Sequence, residues 1–153
     1  MPLEIERKFK VISDEYLNSG TSSEIKQIYL SVTSKMSIRI RIDDMHASIA
    51  IKYKVSDRVN REYEYNIPID EARSIMNLEE LPIISKTRYL IDYKGYTWEV
   101  DKFHAENDGL VIAEIELEHE NDFIEIPPWI GEEITADYRY LNSNLAINPF
   151  SKW

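Results

Sequence analysis

The chain has 153 residues, 43% hydrophobic and 30% charged, with only 4 glycines and 6 prolines, so a single globular domain over residues 1–153 is expected, not a linker-rich or disordered chain. Its 28 acidic against 18 basic residues give a net charge of −10, which disfavours capture of nucleic acid or an anionic membrane surface unless the basic groups are gathered in one place or metal ions intervene. Cysteine is absent, which removes disulfides, thiolate ligands and thiol nucleophiles; no apolar run approaches a membrane span and the opening residues are too charged for a signal peptide, so a cytoplasmic protein is expected.

The opening stretch, residues 1–11 (MPLEIERKFKV), alternates as a strand does, with Glu4, Glu6 and Lys8 on one face and Leu3, Ile5, Arg7, Phe9 and Val11 on the other. Ser13-Asp14-Glu15 reads as the start of a short helical turn ending near Gly20. Residues 24–32 read as a strand, and 36–43 (MSIRIRID) show the clearest alternation in the chain, with Arg39 and Arg41 opposite Ile38, Ile40 and Ile42. A hairpin turn at residues 43–46 lacks the usual glycine. Residues 47–55 return with Lys52 and Lys54 opposite Ile49, Ile51 and Tyr53, and 60–67 set Glu62 and Glu64 opposite Tyr63, Tyr65 and Ile67. After Pro68, Asp70 supplies an N-cap, and the spacing of Ala72, Ile75, Met76 and Leu78 predicts a helix over 71–81. Three more strands follow. Residues 84–93 carry Lys86 and Arg88; 96–103 carry Glu99 and Asp101 opposite Trp98 and Val100; 110–119 carry Glu114, Glu116 and Glu118 opposite Ala113, Ile115 and Leu117. Pro127-Pro128 breaks the chain, and residues 137–146 read as helical turns.

The tally is about eight strands with gaps mostly too short for parallel crossovers, so the pairing is antiparallel. So many consecutive strands with few glycines favour closure, which removes exposed edges. The fold class is α+β, mainly β: an eight-stranded closed antiparallel barrel with a few peripheral helices. Two readings of the charged faces stand side by side. Strand by strand, an alternating charged face is an ordinary solvated exterior. Taken together, the charges are sorted into like-sign groups, acidic on some strands and basic on others, whereas a solubilising surface mixes signs. Like charges two residues apart on a strand repel unless an ion of opposite sign lies between them. Basic pairs then imply an anion, acidic pairs imply cations, and both together suit a metal-bound polyphosphate held inside the barrel.

Glu4-Ile5-Glu6-Arg7-Lys8 resembles the ExExK signature of the CYTH superfamily, the triphosphate tunnel metalloenzymes, and further elements follow in the family's order. Gln27-Ile28-Tyr29-Leu30 resembles its QxYL element, Arg39-Ile40-Arg41 its RxR strand, Ile51-Lys52 its IK pair and Arg61-Glu62-Tyr63-Glu64 its paired-glutamate strand. Lys86-Thr87-Arg88-Tyr89, residues 98–103 (WEVDKF) and 113–118 (AEIELE) resemble three more elements, with Thr135, Tyr140, Asn142 and Leu145 in the closing segment. Ala50 stands where the family often has threonine, and Asp43-Asp44 replaces a glycine-containing turn.

The resemblance, which covers nearly the whole chain, implies a β-tunnel that binds a triphosphate and Mg²⁺ or Mn²⁺. Lys8, Arg39, Arg41, Lys52, Lys86 and Arg88 would cradle phosphate oxygens. Glu4, Glu6, Glu62, Glu64, Asp101, Glu114 and Glu116 would line the metal side, with Glu4, Glu6, Glu114 and Glu116 as the direct ligands. Tyr29, near Lys8, would help place the terminal phosphate, or else is a packed aromatic. The implied chemistry is metal-assisted transfer of a phosphoryl group to water by a short triphosphatase acting on tripolyphosphate. A class IV-type adenylate cyclase, a thiamine triphosphatase and a non-catalytic polyphosphate-binding module are the other readings. A homodimer through an outer barrel face also follows from the resemblance alone. His46, His104 and His119 are expected at the surface, and Lys54, Glu99 and Glu118, at strand ends, in contact with solvent.

Overall fold

Alternation of apolar and charged side chains becomes a strand at each expected place: β1 (Leu3–Val11), β2 (Thr21–Val32), β3 (Met36–Asp43), β4 (His46–Lys54), β5 (Val59–Ile67), β6 (Ile83–Tyr93), β7 (Tyr96–Phe103) and β8 (Val111–Leu117). A computed structural model describes residues 3–18 and 20–153; Met1 and Pro2, included in the opening strand reading, and Ser19, in the first turn, lie outside the described residues. Neighbours run in the order β5-β4-β3-β2-β6-β7-β8-β1, and β5 pairs back onto β1 through Leu3↔Arg61, Glu4↔Asn60 and Ile5↔Val59. Every pairing is antiparallel, and the barrel is closed.

A ninth strand, β9 (Ile130–Glu133), follows the prolines where only a chain break was expected. Its four residues are too few to show a period. It forms because β5 covers only the start of β1, leaving an edge that β9 takes at Phe9↔Glu133 and Val11↔Ile130, with a bulge between. Arg7 clamps the join, donating from Nε and NH2 to the two Glu133 carboxylate oxygens at 2.9 and 2.6 Å.

The β3–β4 turn manages without glycine because Asp44 itself adopts φ of 52°, a left-handed conformation that aspartate tolerates better than most residues. The helix after β5 differs from expectation. α1 (Ile69–Met76) starts directly after Pro68 and stops at Asn77, well short of residue 81. Its stripe of Ala72, Ile75 and Met76 packs on Ile40, Ile42, Ala47 and Ile49 of the barrel exterior, but Leu78 lies beyond that surface and is 74% exposed. Without burial to hold it, the last turn is not formed. After β9, α2 (Asn142–Ile147) and short 3-10 turns complete the chain.

Most of the apolar faces point outward and are covered. Phe9, Trp98, Val100, Ile115 and Leu117 pack under Tyr16, Ile124 and Trp129, with the Trp98 ring 5.5 Å from Phe9 and 5.9 Å from Trp129. The interior is not charged throughout. Ile84 and Ile112 share a face with Lys86 and Glu114, and with Tyr29 and Phe103 they pack against Ile134, Tyr140 and Leu145 of the C-terminal part. An apolar plug therefore fills part of the barrel and leaves the charged residues around a short cavity.

Candidate active site

Charged residues on the inner faces of seven strands converge on a cavity of about 200 Å³. Glu4, Glu6 and Lys8 come from β1, Arg39 and Arg41 from β3, Lys52 from β4, Glu62 and Glu64 from β5, Lys86 and Arg88 from β6, Glu99 from β7, and Glu114 and Glu116 from β8. Tyr29 of β2 joins them, with Ser37 of β3 and Leu141, Asn142 and Ser143 of the C-terminal segment. The inward reading of the charged faces is the one the barrel adopts. Two placements differ from expectation. Glu99 lines the cavity instead of facing only solvent, and Asp101, fully buried, is not among the lining residues. Glu118 falls beyond the end of β8, outside the barrel lining.

Strand register sets opposite charges side by side on the acidic wall. Lys52 faces Glu62 across β4–β5, and Lys8 faces Glu114 across β1–β8. Lys52 Nζ lies 2.8 Å from Glu4, 3.6 Å from Glu6 and 3.7 Å from Glu62, while Lys8 Nζ lies 3.1 Å from Glu114. Burial alone would lower the Lys52 pKa, but Glu6 and Glu4 outweigh it and raise it. Burial lifts Glu6 above the usual carboxylate range, against Lys52, with Glu114 and Glu4 adding to the rise. Glu116 is raised too, by burial and then by Glu4 and Glu99. Glu114, by contrast, is despite its burial held well below the usual carboxylate range by Lys8 and Arg88.

On the basic wall, Arg88 grips Asp101 with Nε and NH2 at 2.8 and 2.9 Å and donates from NH1 to Glu99 at 2.6 Å. Lys86 Nζ sits 2.8 Å from the same Asp101. Both Asp101 oxygens are thus taken, and although burial works the other way, Arg88 and Lys86 hold its pKa down at about 2. Asp101, expected on the metal-lining side, is placed here as the counter-charge shared by the two cations. One carboxylate does not satisfy both. Burial, helped by Arg88 and Arg41, brings Lys86 down to about 7 despite Asp101. Arg41, buried beside Arg39 and Arg88, is lowered to about 10. Arg39 reaches Glu62 and Glu64 only at 3.8 and 3.7 Å, and its buried Nε has no hydrogen-bond partner. Unspent donors on crowded cations are what an anion would fill.

Two polar residues that the family resemblance named without a role in the site join these walls to the C-terminal segment. Gln27, fully buried, donates to Tyr29 Oη at 2.8 Å and to Asn142 Oδ1 at 3.2 Å, and accepts from Arg41 Nε at 3.0 Å. Asn142 Oδ1 also accepts from Lys86 Nζ at 2.8 Å. The motif match marked both positions, and Gln27 shares a strand face with Tyr29, but nothing local to Asn142 shows that it reaches the barrel interior. The histidines lie outside the cavity lining, with His104 Nε2 2.7 Å from Thr87 Oγ1.

Among the described residues no three carboxylate or imidazole groups already converge at metal-ligand geometry. The donors nonetheless fit a hard cation in kind. Glu6 faces Glu116 across β1–β8, Glu4 and Glu114 line the same cavity from the same two strands, and all four offer oxygen only. Lys52 and Lys8 now hold places that a cation would share.

Residues 2–146 match the family model described as "CYTH domain". The chain is 44% identical to an inorganic triphosphatase of Acetivibrio thermocellus, over 100% of this chain and 99% of that protein. It is 34% identical to an inorganic triphosphatase of Nitrosomonas europaea, over 95% of this chain and 97% of that one. Among solved structures, the crystal structure of the inorganic triphosphatase NE1496 is similar with a TM-score of 0.68 and 31% identity, covering 94% of each chain.

Proposed function

This chain belongs to the CYTH domain family, and on that premise we propose that it is a metal-dependent triphosphatase that hydrolyses inorganic tripolyphosphate inside the barrel. The observation that carries the reading is the cavity wall: among the described residues, seven carboxylates and six cations, with Leu141 as its one aliphatic side chain. Such a wall suits the phosphate chain itself. A second cavity of about 290 Å³ that shares Glu6, Ser37, Lys52, Leu141 and Ser143 with it and adds Met36 and Tyr138 is where a nucleobase or a thiamine ring would have to sit, so the cyclase and thiamine triphosphatase readings are separated by the substrate panel below. Because the cationic and anionic side chains nearly balance, a highly charged triphosphate adds negative charge that only accompanying cations can offset. The acidic wall argues against a binding module, since pure anion capture needs the basic wall alone.

Arg39, Arg41, Lys86 and Arg88 would bind the phosphate chain, the arginines through paired N–H groups and the lysine as a point charge. Lys8 and Tyr29 would orient the phosphoryl group that leaves. Glu4, Glu6, Glu114 and Glu116 would hold a divalent cation, with Glu62 and Glu64 next to them; Mg²⁺ or Mn²⁺ suits an all-oxygen donor set. Such a cation supplies charge neutralisation on the phosphate chain and a water of lowered pKa. Arg39, with its unpartnered Nε, gains its missing acceptor when phosphate arrives. Lys86, poised at about 7, exchanges its proton near neutral pH.

The same proposal takes residues 1–153 as one domain, because the C-terminal segment supplies part of the cavity wall, and places the enzyme in the cytoplasm. It includes a homodimer, for which the support is an apolar strip left open on the barrel exterior, where Met36 faces Tyr53 across β3–β4 and Ile51 and Tyr65 lie alongside. Sedimentation would test the dimer. Phosphate release is measured on tripolyphosphate, ATP, GTP, thiamine triphosphate and pyrophosphate, each with Mg²⁺, Mn²⁺ or EDTA, with cyclic AMP assayed alongside. Fast metal-dependent release from tripolyphosphate with little from ATP is expected. Cyclic AMP with pyrophosphate would move the chain to the cyclases, and binding without turnover would leave a binding module.

A further inference from the structure

Gln27 has one orientation open to it. Arg41 Nε is a donor only, so the Gln27 atom facing it at 3.0 Å must be the carbonyl oxygen, which turns Nε2 toward Tyr29 and Asn142. Tyr29 Oη therefore accepts from Gln27. A phenol has one proton to give, and among the described residues no protein acceptor for the Tyr29 proton lies within hydrogen-bond distance, while the ring lines the cavity. The hydroxyl is left as a donor with nowhere to point but the cavity.

The same logic fixes Asn142. Two donors, Lys86 Nζ at 2.8 Å and Gln27 Nε2 at 3.2 Å, meet one end of its side chain, so that end is the oxygen and the amide Nδ2 faces away. Among the described residues Nδ2 has no protein acceptor, and Asn142 lines the cavity. The segment that carries it is firmly seated. Asn107 donates to the Leu145 carbonyl and accepts from the Phe150 backbone, and the Trp153 ring packs on Tyr140 and Phe150.

We infer that Gln27 is a positioning residue that sets the Tyr29 hydroxyl as a phosphate donor, and that Asn142 is a substrate-binding residue whose amide completes the phosphate cradle from the C-terminal segment. The inference rests on the triphosphatase reading for its substrate. Arg41, Gln27, Asn142 and Lys86 form one hydrogen-bonded chain in which each member fixes the direction of the next. The cavity thus gains two neutral donors that sequence charge patterns do not reveal. Neutral donors contribute affinity without adding to the repulsion among Arg39, Arg41 and Arg88.

The test is a double-mutant cycle on Gln27→Glu and Tyr29→Phe. The new carboxylate still accepts from Arg41, but it also accepts from Tyr29 and so turns the phenol proton away from the cavity. Each single variant should weaken tripolyphosphate affinity by roughly 10- to 100-fold, the range for one hydrogen bond to a charged group. The double variant should lose clearly less than the product of the two single losses, the remainder being the effect of Gln27 on Asn142 and of the added charge. Losses that multiply, or an unchanged Gln27→Glu enzyme, would overturn the positioning role. Asn142→Ala, whose position tolerates truncation better than buried Gln27, should weaken tripolyphosphate affinity roughly tenfold with the melting temperature kept. Unchanged affinity would overturn its binding role. The affinities are read by calorimetry without turnover, so a wild-type protein that binds tripolyphosphate but fails to hydrolyse it refutes the triphosphatase reading while the cycle still judges this inference. If Gln27→Glu does not fold, Gln27→Met in the same cycle decides: it frees the phenol proton to rotate, so its loss must again fall short of multiplying with that of Tyr29→Phe.

Discussion

Lys86 makes the binding of tripolyphosphate a proton-linked event. In the free protein its pKa is brought to about 7 by burial, with Arg88 and Arg41 adding to the effect against Asp101. A lysine with that value is roughly one-tenth protonated at pH 8. Phosphate beside Nζ favours the ammonium, and if it restores the usual value of about 10.5 the protein takes up roughly 0.9 proton at pH 8 and about 0.1 at pH 6. The sign follows from linkage: the complex binds more protons than the free protein between the two values, so affinity falls as pH rises through that window. From pH 7 to pH 9 the fall is about 50-fold for this one group. Titration calorimetry in two buffers of different ionisation enthalpy, with EDTA present to prevent turnover, counts the protons. Taking the difference between wild type and Lys86→Met cancels the titration of tripolyphosphate itself. Equal proton counts for the two proteins across pH 6–9 would refute the argument, as would a net release.

Glu4→Gln should lose metal-dependent turnover by 100-fold or more, on the order of the loss of a charge-stabilising group in an enclosed site, while Arg41→Ala should mainly weaken tripolyphosphate binding; steady-state kinetics with varied Mg²⁺ and substrate separate the two, and wild-type hydrolysis in both would mean the tunnel assignment is wrong. Asp101→Asn removes the counter-charge of Arg88 and Lys86 and should destabilise the fold by about 3–5 kcal/mol, read by urea unfolding. A variant of unchanged stability that had lost metal affinity would instead make Asp101 a ligand. Trp98→Ala, which empties the space between Phe9 and Trp129, should cost about 3–5 kcal/mol and lower Tm by roughly 10 °C in a thermal melt. An unchanged Tm would show that the outer aromatic layer contributes little to holding the barrel.

Strand existence was legible along the sequence because a period of two is a local property, visible in five or six residues such as Ser37 to Ile42. The same alternation told which side chains share a face, and the sorting of charges by strand raised, beside the solvated reading, a lining in which Arg39 and Arg41, or Glu114 and Glu116, stand together. Helix length was less legible. Residues 71–81 carry helical spacing to the end, yet α1 stops at Met76 because no barrel surface lies under Leu78. A strand of four residues, β9, gave no period at all and owes its existence to the open edge of β1.

The sequence by itself thus determined the strands and which charges share a face, since these follow from alternation; the family resemblance pointed that face inward toward a triphosphate, and closure of the barrel placed it there. Only the tertiary structure decided which charge meets which. Asp101 and Glu99 stand two residues apart on one face of β7, and nothing local distinguishes them. Closure of the barrel buries Asp101 between Lys86 and Arg88 and leaves Glu99 on the cavity wall. Gln27 and Asn142 are 115 positions apart and meet only because the C-terminal segment folds back onto the interior. Such pairings depend on register and chain return, which couple residues too distant for any local pattern to record.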